Sequence, residues 1–158
     1  MLRKLKMLFS LDFKTKLLLI EATLYLGWAR FYLLHYPFSK LAASLGEYMV
    51  ETGQDYQKEN HRTLISVHQA IEIMCKYTFW ETKCLVRAVT AMKMLEKRRI
   101  ESTLYLGTAK DETGKLIAHA WLRSGSLYVT GYEEMSRFTI TGFFSKKYSS
   151  QAMERNKL

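Results

Sequence analysis

Cys84 and His119 are the residues whose types and placement carry the clearest chemistry. The stretch Trp80-Glu-Thr-Lys-Cys84-Leu-Val-Arg-Ala-Val-Thr-Ala-Met-Lys-Met-Leu95 predicts a helix with Thr82 as its N-cap. Cys84, Ala88, Met92 and Leu95 then share one apolar face. A thiol in the first turn of a helix sits at the positive end of the macrodipole, which favours the nucleophilic thiolate. Backbone N–H groups at the same end can hold an oxyanion. Such a thiol becomes a catalyst only with a base in reach, and His119, 35 residues on, is the candidate. Spacing alone leaves the bland alternatives open: a buried structural cysteine and a histidine satisfied in the core.

Other constellations are weaker. His61, His68 and Cys75 follow one another at seven-residue steps on a single helix face. Two-turn gaps hold ligands too far apart for one ion, so core packing and a helix-end role are expected and no metal site is. Glu133 and Glu134 form an acidic pair of the kind usually found on a solvated turn. There is no Gly-rich phosphate loop, and no cofactor is implied.

The elements that must position Cys84 and His119 follow from periodicity. Asp12 is placed to cap a helix over about 13–35 that is apolar on most of its faces, with Pro37 as its stop. A second helix is expected over 38–49, with Leu41, Leu45 and Met49 on one face. The polar stretch 51–60 marks a boundary, after which Asn60 caps a helix over 61–77 that buries Leu64, Val67, His68, Ile71, Met74 and Cys75. Strands are predicted over 101–111, 115–123, 127–131 and 138–144, with turns at Asp111-Glu-Thr-Gly114 and Ser124-Gly125-Ser126. On the second strand Ile117, His119 and Trp121 share a face. Helices first and an antiparallel sheet afterwards make the class α+β. The expected organisation is a helical appendage over 1–60 with a loose lead-in at 1–11, a core over 61–144 and a basic, fraying tail over 145–158.

The chain has 158 residues, 48% of them hydrophobic, which is ample for one core. With 24 Lys and Arg against 15 Asp and Glu, its net charge of +9 implies an acidic partner. The basic residues are scattered in short clusters, unlike the dense stripe of a dedicated nucleic-acid binder, so no nucleic acid is expected. Two cysteines make no disulfide framework and fit a reducing compartment. Glu21 and Arg30 argue against a membrane span by the first helix, leaving peripheral membrane contact open for a cytoplasmic protein.

Taken together, Lys83-Cys84-Leu-Val-Arg-Ala88, Leu104-Tyr-Leu-Gly107, Ala118-His119-Ala120-Trp121-Leu122 and Tyr128-Val-Thr-Gly131 resemble the leader peptidases of lasso-peptide biosynthesis, the peptidase half of the B protein. The resemblance is strongest over 61–144 and extends more loosely to Pro37-Phe-Ser-Lys-Leu41. It implies a transglutaminase-like, papain-type fold with the nucleophile helix packed on the sheet. It also implies cleavage of a ribosomally made precursor at the leader–core junction, with Cys84 as nucleophile and His119 as base. A macrolactam-forming cyclase would act next. Nothing before residue 61 reads like a leader-binding winged helix, so the implied form is the split one, with a separate leader-recognition protein. Trp121, beside the histidine, is the candidate for substrate contact.

In one respect the chain departs from the family. The Asp that commonly follows the histidine by twelve residues is replaced by Gly131. A backbone carbonyl, a water or Glu133 is left to orient the imidazole, with Asp111 a remoter option. A rival from another class is a non-catalytic basic module that binds an acidic peptide or nucleic acid on the same scaffold.

Overall fold

The computed structural model describes residues 12–148. Helix α1 spans Phe13–His35 and starts as its sequence dictates. The Asp12 carboxylate accepts the Thr15 N–H at 3.1 Å, satisfying one of the donors a helix start leaves free. Tyr36 turns extended ahead of Pro37, whose ring disfavours helix in the residue before it. Helix α2 is only Phe38–Ala42, not the longer helix predicted to 49. Leu41 and Leu45 are fully buried as expected, but Met49 is exposed. Gly46, at φ +100°, reverses the chain against the Ser145 carbonyl with no room for a Cβ, and Glu47–Tyr48 forms strand β1.

Helix α3 covers Lys58–Tyr77, beginning three residues before the predicted start, with Gln57 rather than Asn60 at the cap. Helix α4 is Cys84–Lys97. Strands β2 (Ser102–Lys110), β3 (Leu116–Ser124), β4 (Leu127–Thr130) and β5 (Thr139–Lys146) follow, with a 3-10 turn at Tyr132–Arg137 between the last two. The five strands form one antiparallel sheet in the order β1-β5-β2-β3-β4. Asp111 builds the β2–β3 turn by accepting the N–H groups of Thr113 and Lys115.

Helix α4 packs on β2, β3 and β4, and α1 packs across α3 and α4. Leu26, Ile71, Met92, Leu95, Leu104 and Leu122 are buried where these layers meet. Each such side chain contributes about 1.5–3 kcal/mol relative to an exposed one. Loop 51–57 is tied to the sheet by the buried Arg123. Its guanidinium donates to the carbonyls of Thr52, Gly53 and Gly125 and to the Tyr105 hydroxyl, all at 2.8–3.1 Å. The first residues of the basic tail expected over 145–158 are held in place. Ser145 is buried in β5, and Lys146 pairs with Glu96 at 2.9 Å. The rest of that tail, 149–158, and the lead-in at 1–11 lie outside the described residues.

Candidate active site

Cys84 is the first residue of α4, with Lys83 at the N-cap. Thr82 does not cap the helix. Its carbonyl instead accepts the Arg87 Nε–H at 3.1 Å. No side chain caps this end, and the first intrahelical bond runs from the Arg87 N–H to the Lys83 carbonyl. The N–H groups of Cys84, Leu85 and Val86 therefore precede the helical ladder, at the positive end of the dipole. Behind Cys84, Ala88, Met92 and Leu95 are fully buried and anchor the helix.

His119 sits mid-way along β3, opposite Gly107 on β2. Its ring lies against Trp121 and Phe138, with centroids 5.8 and 4.9 Å away. Gly107 makes that possible, because a Cβ there would press on both aromatic side chains at 2.9 Å. His119 Nε2 lies 2.9 Å from the Gly131 carbonyl oxygen. A carbonyl can only accept, so Nε2 carries the proton and Nδ1 of the neutral ring is the free basic nitrogen. The imidazole is thus held by a main-chain oxygen.

The geometry also explains why residue 131 is glycine. Its φ is +73°, and a Cβ would lie 2.6 Å from the Ala120 carbonyl oxygen and 2.8 Å from the Trp121 Cβ. An aspartate cannot occupy this backbone as it stands.

Cys84 and His119 line one cavity of about 440 Å³, together with His68, Glu72, Arg87 and the 131–134 segment. Glu133 lies on its rim, exposed, with no hydrogen bond or ion pair among the described residues. Asp111 is spent in its own turn. Trp121 is 3% exposed and stacks between His119 and Tyr105, so it supports the imidazole rather than meeting a substrate.

His68, expected in the core, is exposed on the cavity wall with its Nδ1–H donating to the Val129 carbonyl at 2.8 Å. Its neighbour one turn on, Glu72, pairs with Arg87 at 3.4 Å. Arg87 thereby holds the segment leading into Cys84 against α3, a role that its place three residues after the cysteine hints at. Cys75, next to Arg87 and Thr82, has its thiol pushed up in pKa by burial and is no rival nucleophile. Among the described residues no three His, Cys, Asp or Glu side chains cluster to hold a metal.

Cys84 opens a helix packed on an antiparallel sheet whose second long strand carries His119. The profile of the transglutaminase-like superfamily matches residues 32–142 of this chain. The chain belongs to that superfamily. The transglutaminase-like match contains Cys84, His119 and Gly131 and begins inside α1. The superfamily includes cysteine peptidases and transferases. No curated protein and no solved structure matches the chain.

Proposed function

We propose that this transglutaminase-like protein is a cysteine peptidase that removes the leader from a lasso-peptide precursor. The observation that carries the reading is one cavity lined both by a thiol at an uncapped helix start and by an imidazole whose Nε2–H is held by Gly131. His119 Nδ1 takes the Cys84 proton, and the sulfur attacks the carbonyl that ends the leader. The N–H groups at the start of α4 stabilise the oxyanion. Protonated His119 then gives its proton to the leaving core amine, and water releases the leader from the thioester. A separate leader-recognition protein delivers the precursor by raising its effective concentration at the site. A macrolactam-forming cyclase consumes the freed core. The two free thiols fit a cytoplasmic setting.

The test mixes purified chain with precursor and recognition protein encoded beside it, and follows leader release by mass spectrometry. Cys84→Ala abolishes release and His119→Ala removes most of it, while both keep the fold. Release by Cys84→Ala at the parent rate would overturn the reading. Strongly salt-dependent nucleic-acid binding by a chain with an unreactive Cys84 would favour a basic binding module.

A further inference from the structure

Helix α1 is apolar on two opposite faces. One face is core, with Ala22, Leu26 and Ala29 fully buried. The other exposes Phe13, Leu17, Ile20, Leu24, Phe31 and Leu34, each at least half open to solvent. At 3.6 residues per turn these six fall within an arc of about 120° that runs the length of the helix and contains no acidic residue. Trp28, 38% exposed, edges the same stripe, and Tyr32 and Tyr36 stack in line beside it. A continuous apolar band of this size on a soluble surface marks a contact site.

Its flank is basic. The groove between α1 and α3 carries Lys14, Arg62, Lys97 and Arg98 against one carboxylate, Glu21. That carboxylate is already held by Arg98 at 2.6 Å and Lys97 at 3.4 Å. Lys14 and Arg62 have no carboxylate partner among the described residues. The helix is long and apolar enough to cross a bilayer by length and composition. Crossing would tear its buried face and Glu21 out of the domain, whereas lying flat leaves both in place.

We propose that the exposed face of α1 docks in the plane of an anionic phospholipid surface. The apolar stripe enters the acyl boundary, Trp28 and the tyrosines sit at headgroup level, and Lys14 and Arg62 meet lipid phosphates. Charge favours this occupant over a second copy, because antiparallel pairing of two such stripes about a two-fold axis would set one basic flank against the other. Docking also brings the membrane to the catalytic loop. Arg30 donates to the Glu81 carbonyl, and the same loop carries Phe79, 95% exposed, before ending at Cys84. The proposal does not depend on the peptidase reading.

Flotation of the full chain on vesicles tests it. The chain floats with phosphatidylcholine vesicles containing about one third phosphatidylglycerol and stays behind with phosphatidylcholine alone. Binding weakens in about 0.5 M salt. The triple variant Leu17→Ser, Leu24→Ser, Phe31→Ser loses at least about tenfold in bound fraction. Its melting temperature and Cys84 alkylation rate stay at parental values, which separates this surface from the active site. Lys14→Glu with Arg62→Glu removes the preference for the anionic lipid. A folded parent that does not float overturns the proposal, as does a triple variant that floats equally well. So does light scattering that shows a dimer which the triple variant dissolves, since a second copy would then own the face.

Discussion

Replacing Gly131 by aspartate should damage this protein. The perturbation has two costs. Residue 131 has φ +73°, and a side chain in that left-handed region costs about 1–2 kcal/mol. The new Cβ also lies 2.6 Å from the Ala120 carbonyl oxygen, so backbone must move, adding about 1–3 kcal/mol. The sum, roughly 2–5 kcal/mol, lowers the melting temperature by roughly 5–20 °C for a chain of this size. The shift also pulls the Gly131 carbonyl from its 2.9 Å contact with His119 Nε2. One such bond is worth about 0.5–1.5 kcal/mol net, or roughly 2–12-fold in the rate of any step that needs the imidazole aligned. Thermal circular dichroism reads the first effect, and the pH profile of Cys84 alkylation reads the second. Gly131→Ala is the control: it meets the same Cβ clash without a carboxylate, so both variants should melt below the parent. A Gly131→Asp protein that melts at the parental temperature and alkylates faster would refute the reasoning. It would show that the pocket accepts a carboxylate and that the main-chain partner is not what the fold requires.

Glu133→Gln should change the alkylation rate or turnover by no more than about tenfold, against a loss of about 10⁴ for a true triad carboxylate. Arg123→Met should cost about 3–5 kcal/mol in urea unfolding, because it strands three main-chain carbonyls in a buried site and removes the cation 3.7 Å from Glu51. Acid should weaken the fold through Glu21 and Glu96. Burial pushes both carboxyls up, but Arg98 and Lys97 at the first, and Lys146 and Lys93 at the second, outweigh it and hold both below 4.5. Their contribution is therefore fully present above pH 4.5 and is lost as pH falls through the lower folded-state values. Melting curves between pH 6 and 3 should show this, and Glu21→Gln with Glu96→Gln should flatten the decline.

Much of the scaffold was legible because local chemistry and tertiary need agree. Asp12 and Pro37 delimit α1, and the Asp111 turn and the alternation over 116–123 set the β2–β3 hairpin. Where a distant contact decided, the local reading failed. Leu41 and Leu45 are spaced as in a helix, yet α2 stops at Ala42 because Gly46 must pass the Ser145 carbonyl. Thr82 has the right side chain for a cap, but Arg87 draws its carbonyl away and Lys83 takes the position. His68 has the periodicity of a core residue and instead faces the cleft, held by Val129 from β4. The thiol and imidazole were visible from their motifs. The partner of His119 was not, because a main-chain carbonyl belongs to every residue and leaves no mark in composition. Which of α1's two apolar faces is covered was likewise hidden until α3 and α4 were in place.

The strand order carries a consequence for how the molecule is made. Glu47 of β1 lies opposite Ser145 of β5, and β5 separates β1 from β2. During synthesis α4 and the β2–β3 hairpin can assemble as soon as they emerge, since their contacts are close in sequence. The first strand can find no partner until the last one arrives, and until then one edge of β2 stands open as a template for wrong pairing. Assembly of this domain is therefore most exposed to aggregation just before residues 139–146 appear. A chain cut short ahead of Thr139 would retain Cys84 and His119 and leave the outer edge of β2 unpaired.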